Sequence, residues 1–338
     1  LGATRRPLPA GLELGASVGL LAWLRPELAL PCAVLLAHAT LRHARAGRRA
    51  VVLAMLGAAS VIAFRLASFG DWLPLAFRAK SGPLLHGLRY TLEGVVLASS
   101  LAGVVLCWLA SRRGRSDDRA LLWVALAHLA AVVLAGGDWM PGYRLLVPAL
   151  PIYAWLVGVG VTRGFARRPR LGSVVLLVAL SIPALDLATR WPDLRASALV
   201  RERAAPLAAW LRANSSRVAM VDVGFLGYAS GVEVIDLAGL TDPVVARRPG
   251  GHLDKRIDPA YLRLRDPDAI VLHSRTPPQV TDQGELLALD GFPVERLVAQ
   301  IGFVRAQFRV QAVFHCAPAY HYVLLHRRAD ALRVAPGK

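Results

Sequence analysis

Residues 136–144 read Gly-Gly-Asp-Trp-Met-Pro-Gly-Tyr-Arg, a polar, turn-forming stretch between two long apolar segments. Ala120–Ala135 before it and Leu145–Thr162 after it resemble membrane helices, because a bilayer core of roughly 30 Å needs about 20 apolar residues. A glycine pair, an acid, a helix-breaking proline and an arginine are costly at a bilayer surface. The stretch therefore predicts both a turn between two spans and a candidate functional site.

Five apolar segments are expected to span the membrane, namely Val51–Phe69, Thr91–Ala110, Ala120–Ala135, Leu145–Thr162 and Leu171–Ala188. An earlier apolar region, Leu12–Leu41, is interrupted by Arg-Pro-Glu at 25–27, and either two short helices or one kinked span fits it. We favour the broken pair of helices, because Arg5 and Arg6 would then lie on the same side as the next basic loop.

Composition divides the chain into two halves. Of its 338 residues 55% are hydrophobic and 19% are charged, and the apolar residues concentrate before Leu187. The remainder alternates between apolar and polar residues as soluble proteins do. We therefore expect an α-helical polytopic membrane domain at residues 1–189, followed by a small α/β extracytoplasmic domain at 190–338.

Arginine-rich loops decide the expected orientation. They lie at residues 42–49, 112–119 and 163–170, and the positive-inside rule makes all three cytoplasmic. The alternate loops, Gly70–Tyr90 and Gly136–Arg144, then face outside, as does everything after Leu187. These loops hold much of the net charge of +17, and no basic stripe with interleaved aromatics is present. The expected surroundings are the lipids of the cytoplasmic membrane, crossed several times, and no nucleic-acid partner is expected.

The second half is expected to be α/β. Predicted strands are Arg217–Val223, Val232–Asp236 and Ala269–His273, with a closing hairpin of Ala312–Cys316 and Tyr322–His326. Predicted helices are Pro206–Asn214, Tyr261–Arg265 and Asp282–Leu289, and Phe225–Ser230 is a turn or short helix.

Several classes of protein are disfavoured by what the sequence lacks. Its three cysteines form no disulfide framework or CxxC metal motif, and no GxSxG, HExxH or P-loop is present. No metal site or cofactor is expected, although a requirement for a divalent metal is left open. The chain begins at Leu1 without a signal-peptide pattern, so we expect an N-terminal portion to precede it.

A second loop repeats the pattern of the first. Residues 70–74 read Gly-Asp-Trp-Leu-Pro and match Gly-Asp-Trp-Met-Pro at 137–141. Each loop alone could simply anchor tryptophan at the membrane interface. Two acid-bearing turns on one face, with Lys80 and Arg144 following them, favour a site for an anionic head group, because phosphate needs basic donors. Arg25 and Glu27 are either an intramembrane pair in this pocket or a self-neutralised pair at a helix break.

Acids after the predicted strands supply candidate ligand-binding residues in the second half. Asp236 and Asp242 lie where open α/β sheets place ligands, at the ends of strands. His252 lies in a loop with Asp254 and Asp258, which could bind a metal ion or pair with neighbouring Arg and Lys. Internal pairing is the favoured interpretation. We therefore regard Asp236, Asp242 and His252 as substrate-binding candidates and expect no metal ligands.

Together these motifs resemble those of polytopic GT-C glycosyltransferases, and most closely the actinobacterial arabinofuranosyltransferase-like cell-envelope proteins. The resemblance rests on Leu-Arg-Pro-Glu at 24–27, on Gly-Asp-Trp-Leu-Pro at 70–74 with Ala79 and Lys80, on residues 136–144, and on Asp-Leu-Ala-Gly-Leu-Thr-Asp-Pro at 236–243.

This resemblance implies an integral enzyme that transfers a sugar from a polyprenyl-phosphate donor to a cell-envelope glycan or lipid acceptor outside the membrane. Lys80, Arg144 and Arg78 would bind the donor phosphate, and Asp71 or Asp138 would deprotonate the acceptor hydroxyl. GT-C enzymes usually carry a catalytic acid in their first external loop, which we expect to precede Leu1.

Two other classes of function remain open. A non-catalytic membrane scaffold or accessory subunit would use the outer domain to bind glycan or a partner. A transporter would need several ionisable groups near the bilayer midplane, and the sequence offers few beyond Arg25, Glu27 and Arg65. Arg25 and Glu27 are carried forward as substrate-binding candidates.

Overall fold

The computed structural model describes residues 11–80, 82–138, 140 and 142–329. It forms two compact units, one of residues up to 74 with 82–189, and the other of residues 75–80 with 190–329. The first unit is helical and the second is mixed α/β, which confirms the predicted fold class. The predictions made for Arg5, Arg6, Trp139 and Pro141 fall outside the described residues.

Eight helices account for the first half of the described chain. They are α1 (Leu12–Leu24), α2 (Ala29–Arg42), α3 (Ala44–Phe69), α4 (Leu75–Ala79), α5 (Leu84–Arg113), α6 (Ser116–Leu134), α7 (Leu150–Gly164) and α8 (Pro169–Asn214). Four described segments are long and apolar enough to cross a membrane, namely Ala44–Phe69, Leu84–Arg113, Arg144–Gly164 and Pro169–Pro192. Helix α3 leaves large apolar side chains such as Leu56 and Phe69 mostly exposed, as lipid-facing helices do. The chain is therefore a multi-pass membrane protein.

The fifth expected span, Ala120–Ala135, forms α6 but is not among these four segments. Asp117, Asp118 and Arg119 occupy the first turn of α6, so its apolar part is shorter than a full crossing. The expected break in Leu12–Leu41 is confirmed, because a 3₁₀ turn at Pro26–Leu28 separates α1 from α2.

Ion pairs place the three arginine-rich loops at one end of the helical unit. Arg42 lies 3.4 Å from Asp117, which joins the first loop to the second. Arg163 lies 2.9 Å from Asp118, which joins the third loop to the second. Helices α3 and α6 both begin at this end, so the two Gly-Asp-Trp turns that follow them lie at the opposite end. We call these the arginine end and the turn end.

The second unit is built on a five-stranded sheet in the order β2-β1-β3-β7-β6. The strands are β1 (Arg217–Met220), β2 (Glu233–Asp236), β3 (Ala269–Ser274), β6 (Phe308–Ala317) and β7 (Tyr320–Arg327), and a separate pair is formed by β4 (Gln279–Val280) and β5 (Leu286–Ala288). Strands β1, β2 and β3 are parallel, and β7 and β6 form the predicted antiparallel hairpin. The helices are α9 (Phe225–Ser230), α10 (Pro243–Ala246), α11 (Pro259–Arg265), α12 (Pro293–Gln300) and α13 (Gly302–Gln307).

Both faces of this sheet are covered, which explains why β3 is buried along its whole length. Ile270 and Leu272 pack on one face with side chains of α12 and α13 such as Val298. Ala269 and Val271 pack on the other face with side chains from the end of α8 such as Leu211. Because successive side chains of β3 point to opposite faces of the sheet, the strand contributes to two hydrophobic cores.

Two predictions of helices in this half were wrong or incomplete. Asp282–Leu289 is not a helix, because Thr281 N–H donates to the Glu285 carbonyl at 2.9 Å and closes a tight turn that leads into β5. Pro206–Asn214 is the end of α8, which continues without a break from Pro169. Helices α12 and α13 were not predicted.

Candidate functional site

The turn after α6 is built on two glycines that no other residue could replace without strain. Gly136 and Gly137 have φ angles of 82° and 73°, in the left-handed region. A Cβ on Gly136 would lie 2.7 Å from the Cα of Gly82, and one on Gly137 would lie 2.9 Å from the Cβ of Tyr90. The glycine pair therefore lets the chain turn sharply against the start of α5.

Asp138 and Arg144 are brought together by this turn. Arg144 Nε donates to Asp138 Oδ2 at 2.5 Å, and the backbone N–H of Met140 donates to Asp138 Oδ1 at 3.4 Å. The side chain of Asp138 is 3% exposed, whereas that of Arg144 is 47% exposed. Among the described residues the terminal nitrogens of Arg144 make no hydrogen bond. The carboxylate thus orients a guanidinium whose outer edge can bind an anion.

The peptide that follows Arg144 is held from two helices. Leu145 N–H donates to the Tyr90 hydroxyl of α5 at 3.3 Å. The carbonyl of Leu145 lies 2.7 Å from Nε2 of His128, which is buried within α6. Both contacts fix the backbone that carries Arg144. Neither Tyr90 nor His128 was predicted, since each lies in an apolar run with no local sign of its partner.

A further acid lies beside the turn. The ring of Tyr143 packs against that of Tyr90 at a tilt of 52°, with 5.2 Å between ring centroids, and its hydroxyl lies 3.4 Å from Glu93 Oε2. Glu93 also accepts a hydrogen bond from Arg89 Nε at 2.6 Å, one helical turn away in α5. Its side chain is 44% exposed. We call Asp138, Tyr143, Arg144, Tyr90, Glu93 and His128 the turn site.

Asp71 makes the same local contact as Asp138. Its Oδ1 accepts a hydrogen bond from Leu73 N–H at 3.1 Å, so the two Gly-Asp-Trp turns share an acid bonded two residues ahead. Arg78 and Lys80 fall in the other unit, where α4 packs against α10. Arg144 is therefore the predicted phosphate ligand that shares a unit with both turns.

Arg25 and Glu27 do form a pair. Arg25 Nη1 lies 3.5 Å from Glu27 Oε1 beside the 3₁₀ turn between α1 and α2, and both side chains are partly exposed. Each charge thus has a partner of opposite sign at the break.

The two predicted ligand-binding acids of the second unit, Asp236 and Asp242, accept hydrogen bonds from groups of the protein itself. Asp236 is fully buried and accepts hydrogen bonds from three backbone N–H groups, those of Ala238, Gly239 and Thr241, and from the Thr241 hydroxyl. Asp242 caps α10 and accepts a 2.5 Å hydrogen bond from the Tyr261 hydroxyl. Both carboxylates thus stabilise the loop after β2, and their role in substrate binding stays a prediction.

The loop around His252 is also internally paired. Asp258 caps α11 and lies 3.1 Å from Arg248 Nη2, as the favoured interpretation predicted. His252 is buried. The fully buried Lys255 was missed, and its ammonium donates to three carbonyls, those of Ala246, Arg248 and Gly250, at 3.0–3.1 Å. Burial lowers the pKa of this ammonium, while Asp254 raises it.

A polar cluster at the carboxyl end of the parallel strands was not predicted either. Asp222, after β1, accepts hydrogen bonds from the hydroxyls of Tyr320 at 2.8 Å and of Tyr322. Burial raises the pKa of both phenols far above its ordinary value, so both stay protonated donors. His273 lies beside Tyr320, with ring centroids 4.4 Å apart, and burial lowers its pKa. The residues of this cluster come from segments distant in sequence, such as Asp222 and Tyr320, so no local motif predicts it.

Comparisons with known proteins give one match. Residues 193–330 match the model of a domain of unknown function, DUF8728. No curated protein and no solved structure matches the chain. The matched region corresponds to most of the α/β unit and carries no assigned activity.

Proposed function

We propose that the protein is a GT-C-like membrane glycosyltransferase that transfers a sugar from a polyprenyl-phosphate donor to a cell-envelope glycan or lipid acceptor. The observation that carries the proposal is Arg144, a half-exposed guanidinium held by a buried carboxylate at the turn end. A phosphate that arrives along the membrane would meet the two terminal nitrogens of this side chain. The motif resemblance supplies the class of reaction.

The proposed orientation follows from the arginine end. Its three basic loops would lie in the cytoplasm by the positive-inside rule, and the turn end would then face the outer side of the cytoplasmic membrane. Polyprenyl-phosphate donor, acceptor and α/β unit would all lie on that outer side.

Roles within the turn site follow from burial. Asp138, with both oxygens engaged, would position Arg144, although it stays a candidate for the acid. Glu93 and Asp71 are the alternative candidates that would deprotonate the acceptor hydroxyl. Lys80 and Arg78 remain candidate phosphate ligands, to be tested by substitution.

The experiment uses the full chain in lipid nanodiscs with radiolabelled polyprenyl-phosphate pentose and hexose and a cell-envelope glycan acceptor. Arg144→Ala should abolish measurable transfer, whereas Arg112→Ala at the arginine end should not change it. Among Glu93→Gln, Asp71→Asn and Asp138→Asn, the variant that removes the base should lose about 10²- to 10⁴-fold in rate. Full activity of Arg144→Ala would remove the turn site from the mechanism.

A second candidate is a non-catalytic scaffold or accessory subunit. It is favoured by the engaged carboxylates of Asp138, Asp236 and Asp242, none of which has an oxygen without a hydrogen bond. This candidate expects the nanodisc-embedded chain to bind donor or glycan with no turnover for any labelled sugar.

A further inference from the structure

Two histidines face each other across the β6–β7 hairpin. His315 on β6 and His321 on β7 are paired in its register, and Nδ1 of His315 lies 3.1 Å from Nε2 of His321. Directly opposite residues of an antiparallel pair have Cβ atoms about 4.5–5.5 Å apart, so both rings can reach the same point. The bulge in β6 falls after His315, at Cys316, and leaves this pair in register. Only Pro318 and Ala319 separate the two strands in sequence, so a short loop keeps the two histidines together.

The two side chains differ in their exposure. His321 is 8% exposed, whereas His315 is exposed on β6, the outermost strand of the sheet. Dissolved ions can therefore approach the pair from the side of His315.

A backbone carbonyl fixes the tautomer of His321. Its Nδ1 lies 3.3 Å from the carbonyl oxygen of Ser274 in β3. Because a carbonyl can only accept, the proton of the neutral imidazole lies on Nδ1, and Nε2 offers a lone pair towards His315. Histidines that bind metal ions almost always donate their other ring N–H in this way.

His315 can offer a second lone pair to the same point. In the neutral pair its Nδ1 donates to His321 Nε2, and its own Nε2 makes no hydrogen bond among the described residues. Exchange of one proton through water, from Nδ1 to Nε2 of His315, leaves two nitrogens without protons 3.1 Å apart. Bonds of about 2.0–2.1 Å from these nitrogens to one zinc ion would meet at an angle of roughly 100°, near the tetrahedral angle.

We propose that His315 and His321 together bind one divalent transition-metal ion such as zinc or copper. Neutral imidazole prefers these ions, whereas magnesium and calcium prefer oxygen ligands. No third His, Cys, Asp or Glu joins the pair among the described residues, so water or an outside ligand would complete the coordination. The ion would replace the shared proton as the link between β6 and β7. This inference does not depend on the glycosyltransferase proposal, because neither histidine belongs to the turn site.

The test titrates the full chain, produced without a histidine tag, with zinc in detergent micelles against a chromophoric chelator. The wild type should bind one zinc ion per chain, and excess magnesium should not compete. His315→Ala and His321→Gln should each weaken zinc binding about 10- to 100-fold or more, because loss of even an outer-shell partner of a metal ligand costs this much. His326→Ala is the matched control, because His326 also lies on β7 but packs against Trp210, with ring centroids 5.2 Å apart.

Two further measurements separate the proposed site from misfolding and from adventitious binding. Zinc should raise the melting temperature of the wild type but not that of His315→Ala, a comparison made within each variant. With copper in place of zinc, electron paramagnetic resonance should show coupling to two nitrogens in the wild type and to fewer in His315→Ala.

Four results would each overturn the proposal. They are an absence of zinc binding by the wild type, an unchanged affinity in both His315→Ala and His321→Gln, an equal loss in His326→Ala, and the same nitrogen coupling in the wild type and His315→Ala.

Discussion

Glu295 is a buried carboxyl whose ionisation should control how the stability of the α/β unit depends on pH. It is 1% exposed, in the first turn of α12. Burial raises its pKa to about 8, although backbone N–H groups of His273 and Phe292, which donate to its two oxygens at 2.7 and 2.8 Å, lower it. We predict that this carboxyl is protonated in the folded protein below about pH 8.

The sign and size of the effect follow from linkage. The pKa is raised on folding from an ordinary 4.5 to about 8. Below pH 4.5 both states bind the proton, and between pH 4.5 and 8 only the folded state does, so the stabilisation is full below pH 4.5 and is lost as pH rises through 8. Each pH unit within this window is worth about 1.4 kcal/mol, and the whole window about 5 kcal/mol. The side chain of Glu295→Gln cannot ionise. We therefore expect the free energy of unfolding of this variant to fall less between pH 5 and 8 than that of the wild type.

The assay measures the opening of the sheet through the Cys316 thiol, which is fully buried in β6. Cys32→Ser and Cys107→Ser remove the thiols of the helical unit. Labelling of Cys316 by dithiodipyridine, divided by its rate in the unfolded chain at the same pH, gives the free energy of opening. Glu285→Gln is the control, because Glu285 is half-exposed and paired with Arg309.

Parallel pH profiles for wild type and Glu295→Gln would refute this reasoning. They would mean that the two backbone N–H groups keep the carboxylate ionised in spite of burial. If Glu285→Gln reduced the pH dependence of stability as much as Glu295→Gln does, burial of the carboxyl could not be the cause of that dependence.

Two further predictions concern groups with clear geometric roles. Lys255→Met should destabilise the α/β unit by about 2–4 kcal/mol and speed amide exchange in residues 246–256, because three buried carbonyls lose a charged donor; unchanged exchange would contradict this. Gly137→Ala should lower the melting temperature of the detergent-solubilised chain, because the new Cβ would lie 2.9 Å from the Tyr90 Cβ. Gly142→Ala should lower it less, because a Cβ there would have no atom within 4 Å. Equal losses would show that backbone strain alone, and not the contact with Tyr90, causes the destabilisation.

Hydropathy and period were enough to predict a helical region followed by an α/β domain, four apolar helices long enough to cross a membrane, and the main sheet. They failed at Asp282–Leu289, where a turn closed by Thr281 and Glu285 and a contact from Val310 to the Gly284 carbonyl select a hairpin. Amino-acid type at a strand end could not predict that Asp236 binds its own loop, because that depends on which backbone N–H groups fold back onto it. Partners distant in sequence are invisible to local patterns.

The two Gly-Asp-Trp turns show how far a shared motif can be trusted. Asp71 and Asp138 bond the backbone two residues ahead in the same way. Six residues after Asp138 the chain carries Arg144, which pairs with that acid. The shared motif therefore accounts for the turn, whereas the ion pair that holds Arg144 depends on a residue outside the motif. On this reasoning Asp138→Asn should weaken donor binding because it releases the Arg144 guanidinium, and donor binding as tight as that of the wild type would contradict it.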